Sequence, residues 1–378
     1  MPLTNLLLIL LSFQSLCSAA VIKREGTAWN YWRDKAFGAN VGNWLVLERW
    51  IAPQLFEQHA PNANDEWTFC QQATNASEIL KEHWRTWITE DDFRTLASVG
   101  ANHIRIPVGY WAFIAPIDGE PYVTEGQKPE LERILSYCGK YNINALIVLH
   151  GLPGSQNGEQ HSGHAGAIEF YQRDHYSRSL TAVQAAVDWM NSLPYDLKSR
   201  ISGIEPVNEP QVRDDREFRL LSYYYRKSYD IIHQSAYQVP MIFSDGWRPI
   251  DQWRLNAWSG FLPAPANAVI DLHPYWAFPP STDSSTIISQ ICAMGSPDSG
   301  FHLPVMIGEW SLASGVSSSD TWLRQFMDTQ VSVWKQSAGG TFWALKNNIN
   351  SDVWSFEQLI SEGYINSGTF SAHTNAQC

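Results

Sequence analysis

Ile201-Ser-Gly-Ile-Glu-Pro-Val-Asn208-Glu209-Pro210 and Pro304-Val-Met-Ile-Gly-Glu309-Trp310 are two short, mainly apolar runs that each lead into a glutamate. Runs of this length, bounded by proline and turn residues, read as strands buried on both faces. Two such strands bring two carboxylates to one face of a fold. That is the minimum apparatus for hydrolysing a glycosidic bond, with one group as acid and base and the other as nucleophile or base.

Similar runs recur at 37–41, 101–107, 144–150, 240–244, 269–273 and 340–345, alongside 201–208 and 304–309. Most carry a polar or aromatic group at or near the C-terminal end: Arg105, His150, Asn208 with Glu209, Asp245, His273 with Tyr275, Glu309 and Trp343. Helical patterns lie between them at 77–86, 129–141, 182–191, 217–234 and 320–336. Strand, helix and chemistry at the carboxyl end of the strand, repeated about eight times, predicts an α/β fold of the single (β/α)8 barrel type. The Gly/Ser-rich stretch 311–320 reads as a loop above the barrel, and one catalytic domain is expected over 25–378.

The chain has 378 residues, 44% hydrophobic and 17% charged, enough apolar matter for a large core. Its net charge of -12, with no basic stripe, argues against nucleic acid as a partner. The 18 Trp and 15 Tyr favour a neutral carbohydrate ligand, since flat apolar rings cover sugar faces, although core filling takes a share of them. Residues 1–20 read as a signal peptide: the apolar run Leu6-Leu-Leu-Ile-Leu-Leu11 is too short to span a bilayer and leads to Ser18-Ala19-Ala20. The dibasic Lys23-Arg24 suggests a short propeptide ending at 24. An exported product with no membrane partner, acting as a monomer, is therefore expected. Cys17 leaves with the signal, and Cys70, Cys138, Cys292 and Cys378 form an even set expected to make two disulfides. Asn75-Ala76-Ser77 is a glycosylation sequon.

Several longer motifs carry a resemblance. Gly42-Asn-Trp-Leu-Val-Leu-Glu48-Arg-Trp50-Ile, Asn102-His-Ile-Arg105-Ile-Pro-Val-Gly-Tyr-Trp-Ala-Phe113, Leu149-His150-Gly-Leu-Pro-Gly-Ser-Gln-Asn-Gly158, His273-Pro-Tyr275-Trp-Ala-Phe278, Trp354-Ser-Phe356 and Asn375-Ala-Gln-Cys378 span nearly the whole mature chain. They resemble glycoside hydrolase family 5 of clan A, in its fungal exo-β-1,3-glucanase branch with the related β-1,6-glucanases and diglycosidases. The resemblance implies a retaining hydrolase without cofactor or metal, acting on a β-glucan or β-glucoside. It makes Glu209 the acid/base, with its proton retained through burial and the charge of Glu309. It makes Glu309 the nucleophile, kept ionised by Arg105 and Tyr275. Asn208, His150, His273, Trp343 and Glu48 would bind or orient the sugar. The family's cysteine pattern implies a Cys292–Cys378 disulfide, which leaves Cys70 with Cys138 by elimination.

His161 and His164 are spaced like a metal pair but lie in a glycine-rich loop without a third ligand, so they read as polar loop residues. Glu205 reads as a strand residue facing a helix, and Asp245 as a substrate contact or a helix cap. The chain departs from the branch at 159–163, Glu-Gln-His-Ser-Gly, where the exo-glucanases carry Phe-Asp-Asn-Ser-Gly. A two-sided aromatic gate is thereby reduced to Phe278 alone, unless Trp276 supplies the other side. The segment after Trp310 is also short, which would open room for a second sugar. Exo-β-1,3-glucosidase action is the leading expectation, with disaccharide release from flavonoid glycosides and β-1,6-glucanase action as the rivals; a catalytically silent sugar-binding barrel does not fit two retained glutamates.

Overall fold

The computed structural model describes residues 25–117, 119–255, 262, 266–295, 301–371 and 378; the expected signal and propeptide, Cys17 and residues 375–377 of the terminal motif lie outside them. Eight parallel strands close a barrel: β1 (Ala36–Asn40), β2 (His103–Gly109), β3 (Asn144–Gly151), β4 (Ile201–Glu205), β5 (Met241–Ser244), β6 (Ala268–Leu272), β7 (Val305–Trp310) and β8 (Gly339–Phe342). β8 pairs with β1 to shut the ring. Each expected strand is present within three residues at either end, because a strand buried on both faces must be apolar throughout and so stands out in the sequence. The five expected helical patterns fall in Ala76–Trp87, Gln127–Tyr141, Arg173–Ser192, Asp215–His233 and Asp320–Trp334. Among the described residues no helix is long and apolar enough to cross a membrane.

The barrel interior is layered. At the N-terminal end Trp29 and Tyr31 pack against Leu146, Val148, Ile242, Val269 and Met306, and the Tyr31 hydroxyl donates to Ser202 Oγ at 3.1 Å. Above this apolar floor the inward positions turn polar: Asn40, Arg105, Glu205 and Asp271 are fully buried. A separate, larger core lies between the strands and the surrounding helices.

Two register shifts decide which side chains reach the upper interior. On β7, Gly340 pairs with Ile307 but Phe342 pairs with Trp310, so one extra residue sits between them. Gly308 and Glu309 therefore both face inward. A Cβ on Gly308 would fall 2.0 Å from Asp271 Oδ2, so only glycine fits there. On β4, Ala145 pairs with Ile201 and Leu146 with Gly203. This shift turns Glu205 into the barrel, which corrects the expectation that Glu205 faces a helix. Bulges beside active sites commonly re-aim a side chain in this way.

Cys292 and Cys378 form a disulfide, with Cα atoms 5.4 Å apart, that ties the C-terminus to the helix Ser284–Met294. The second expected bridge is not formed: Cys70 and Cys138 are free thiols. Cys138 is buried on the helix that covers β3, Cys70 is half-buried on Glu66–Gln72, and burial pushes both thiols up. Pairing requires Cβ atoms turned toward each other within about 4.5 Å, a condition that counting cysteines does not test. Iodoacetamide added to the unfolded, non-reduced protein should alkylate Cys70 and Cys138 and spare Cys292 and Cys378; a peptide joining Cys70 to Cys138 would contradict this arrangement.

Candidate active site

Arg105 rises from the middle of β2 into the barrel with no exposure and distributes its guanidinium over the site. Nη1 donates to Glu309 Oε1 at 2.8 Å and to Asn40 Oδ1 at 3.0 Å, and Nη2 donates to Glu205 Oε2 at 2.9 Å and to Asn208 Oδ1 at 2.6 Å. Asp271 Oδ2 lies 3.7 Å from Nε. Asn40 is itself held by the carbonyls of Gly308, Thr341 and Phe342. One guanidinium thus serves three carboxylates, and burial pushes Glu205 up to about 8 even beside it.

Glu309 lies within β7, and its second oxygen accepts from the Tyr275 hydroxyl at 2.8 Å. Burial raises its carboxyl, but the His273 charge, His150 and Arg105 outweigh burial and hold it far below the ordinary range. Glu209 lies just past β4 with φ +45, a left-handed conformation that non-glycine residues adopt only under tertiary constraint. The constraint is local: Asn208 N donates to Leu149 O at 3.0 Å, and Gln156 Nε2 donates to Asn208 O at 3.0 Å.

His273 bridges acidic groups. Its Nδ1 is 2.7 Å from Glu209 Oε1 and its Nε2 is 3.3 Å from Asp271 Oδ2. Burial alone would lower it, but the charges of Glu309 and Asp271 outweigh burial and raise it well above the usual imidazole range. For Glu209 the direction runs against the expectation that burial and the charge of Glu309 retain its proton. Burial and Glu309 push Glu209 up, but the His273 hydrogen bond and charge override them and hold it low. An oxygen of Glu209, a nitrogen of His273 and an oxygen of Glu309 all lie within 4.8 Å of one another.

These groups floor a cavity of about 690 Å³, within the size range of small-ligand sites. Glu48, His150, Tyr275, Phe278 and Trp343 line it, as does Trp50. Glu48 accepts from Trp50 Nε1 at 3.1 Å, and burial pushes it up to about 8. Trp343 stacks on His150 at 5.6 Å between centroids. Trp354 leans on Phe278, which is 73% exposed at the rim. Trp276 does not complete a gate: it is buried against Phe326 and bonded to Gln290.

Sequence reasoning gave no site role to two lining residues, Trp247 and Trp354, and read His161 only as a polar loop residue. Trp247 is exposed at the rim with φ +58, in a turn closed by its amide donating to Asp245 Oδ1 at 3.0 Å. The Asp-Gly pair before an aromatic was the available signal. Asp245 therefore shapes this turn rather than capping a helix. His161 faces Glu209 Oε2 at 3.6 Å, whereas His164 stacks on Trp67, so the two do not form a metal pair.

Removing the Arg105 charge by Arg105→Ala strands Glu309, Glu205 and Asp271 in a dry interior. The expected loss is about 3–5 kcal/mol of unfolding free energy in urea titration. A loss below about 1 kcal/mol would show that the carboxylates find other partners.

Stability should also depend on pH in a set direction. Glu48, Glu66 and Glu205 are each raised from 4.5 to about 8, so the folded state binds more protons than the unfolded. Their contribution is full below pH 4.5 and is lost as pH rises to about 8. Glu209 and Glu309, both held low, act oppositely and lose theirs only as pH falls below 4.5. Calorimetry should give a higher Tm near pH 5 than near pH 8; a Tm that climbs across this interval would contradict the assignment.

The sequence pattern of the family described as Cellulase (glycosyl hydrolase family 5) matches residues 62–349. Glucan 1,3-beta-glucosidase 1 of Schizosaccharomyces pombe is 34% identical over 376 residues, which cover 91% of this chain and 90% of that one. A probable glucan 1,3-beta-glucosidase A of Aspergillus niger is 35% identical over 315 residues, covering 80% of this chain and 72% of that one. The crystal structure of a rutinosidase from Aspergillus niger superposes with a TM-score of 0.80 at 24% identity, over 89% of this chain and 99% of that chain, a likeness of fold. With a paired-carboxylate site at the carboxyl end of a closed parallel barrel, the chain belongs to glycosyl hydrolase family 5 and is a glycoside hydrolase.

Proposed function

We propose that this protein is a secreted, retaining β-glucosidase that removes glucose from the ends of β-1,3-glucan. The observation that carries the reading is the spacing of Glu209 and Glu309, with oxygens within 4.8 Å at the floor of one pocket. That separation suits direct attack by a carboxylate; an inverting pair stands about 6.5–9.5 Å apart to admit a water. Glu309, ionised and aimed by Arg105 and Tyr275, attacks the anomeric carbon. The bond to the leaving oxygen breaks as Glu209 delivers a proton to that oxygen, and a glycosyl ester forms on Glu309. Water then attacks the anomeric carbon, Glu209 takes its proton, and the ester oxygen returns to Glu309 as carboxylate. Glu209 delivers this proton from Oε2, because Oε1 accepts from His273 Nδ1 at 2.7 Å, and Oε2 regains it from the attacking water.

The remaining groups fit a sugar ring. Asn208 Nδ2 and His150 Nε2 are buried without a partner among the described residues, which suits them to sugar hydroxyls. Trp343 offers a flat face beneath the ring. Glu48 and Trp50 close the far wall, as recognition of a chain end requires. The β-1,3-glucan preference draws on the relatives named above. The Glu159, Gln160 and His161 wall opposite Phe278 favours a second reading, release of a disaccharide from an aryl glycoside, because a polar wall does not clamp a glucan's second sugar between two rings. Export is supported by the apolar 6–11 run, and glycosylation by the exposure of Asn75 at the start of a helix. No cofactor enters the reaction.

Proton NMR during digestion of laminari-oligosaccharides should show β-glucose as the first product, and Glu309→Gln should abolish turnover. An initial α-anomer, or turnover by Glu309→Gln, would overturn the reading. Rutinose released from rutin at a rate exceeding glucose from laminarin would move the substrate assignment to the second reading with the mechanism unchanged.

A further inference from the structure

The loop 159–163 brings one side chain to the reacting groups that the mechanism above does not use. His161 lies in the short turn Gln160–Ser162, with its ring at the pocket wall and Nε2 3.6 Å from Glu209 Oε2. The two oxygens of Glu209 have different surroundings. Oε1 is taken by His273 Nδ1 at 2.7 Å, so Oε2 is the oxygen left to face the leaving group, and His161 stands beside it. Glu209 is thus flanked by two imidazoles, one beneath it in the barrel and one on the pocket side.

We propose that His161 is a positioning residue for the acid/base, donating from Nε2 to Glu209 Oε2 as negative charge develops there during departure of the leaving group. The inference rests on the acid/base role given to Glu209 above. A separation of 3.6 Å exceeds a hydrogen bond, but catalytic contacts in an empty site are commonly long and shorten when substrate fills it. The carboxylate favours the tautomer with the proton on Nε2, since Nδ1 is buried with no partner among the described residues. The charge on Oε2 grows only as its proton passes to the glycosidic oxygen. A donor aimed at that oxygen therefore stabilises the transition state more than the ground state.

The loop is built to keep this ring in place. Ser162 Oγ donates to Glu159 O at 2.7 Å and contacts Ser155 Oγ at 2.7 Å, and the Ala165 amide donates to Asp65 Oδ2 at 2.7 Å. The backbone carbonyl of His161 also accepts from His150 Nδ1 at 2.8 Å, which leaves His150 Nε2 facing the pocket. Replacing the side chain spares every one of these contacts, so a His161 variant tests the ring and not the fold of the loop.

The test compares kcat/KM, which reports glycosylation alone, on two glucosides. A laminaribiosyl leaving group needs full protonation, and 2,4-dinitrophenolate needs almost none. His161→Ala should lose about 10- to 100-fold on the poor leaving group and a clearly smaller factor on the dinitrophenyl glucoside, which steepens the dependence on leaving-group pKa. His161→Gln, whose amide nitrogen falls near the position of Nε2, should recover part of the loss. Equal losses on both substrates, no loss on either, or no recovery with Gln at an unchanged Tm would overturn the proposal. Failure of the functional reading itself looks different, because the unaltered enzyme would then turn over neither glucoside.

Discussion

A single guanidinium, buried without exposure in the middle of a barrel, is the constraint on which the rest of this structure depends. Arg105 touches Asn40, Glu205, Asn208 and Glu309, residues from β1, from β4 and the turn after it, and from β7. A buried cation is tolerated only when its donors are matched and its charge is offset. The barrel meets both needs with groups that must then stand where chemistry occurs. The layer beneath is mainly apolar and is closed by Trp29 and Tyr31. The polar layer is thereby cut off from water on one side and open on the other, and the interactions within it gain strength from the low dielectric around them.

The second organising fact is a shortage of protons. Glu209, Glu309 and Asp271 crowd around His273, which is raised well above the usual imidazole range while Glu209 and Glu309 are held low. Two carboxylates close together ordinarily compete until one is protonated. Here the intervening histidine instead holds both carboxyls low, and its Nδ1 lies 2.7 Å from Glu209 Oε1. Glu209 sits on left-handed backbone at φ +45, in the turn past β4 that brings its carboxyl to His273.

Much of this was legible in the sequence, for physical reasons that can be stated. Parallel strands buried on both faces appear as apolar runs, so their order, Arg105 within one of them and His150, Glu209, His273 and Glu309 at or near the ends of others could be read directly. Facing was not legible. Glu205 and Glu309 point inward because of register shifts on β4 and β7, and a one-residue slip leaves no mark in composition. The charge of His273 was missed because it depends on Asp271, two residues away on the same strand face but invisible as a partner until the barrel closes. Trp247 and His161 were underweighted since each lies in a loop, where periodicity carries no information. The Cys70 and Cys138 bridge failed for a related reason: an even count says nothing about which thiols meet.

The central claim is that Glu309, and not Glu209, becomes covalently bonded to the sugar. Incubation with 2,4-dinitrophenyl 2-deoxy-2-fluoro-β-glucoside, which forms the glycosyl ester and hydrolyses it slowly, followed by proteolysis and mass spectrometry, tests it most directly. The account predicts a single fluoroglucosyl group on the peptide containing Glu309, lost again when an acceptor sugar is added. A label on Glu209, or inactivation without any label, would contradict it.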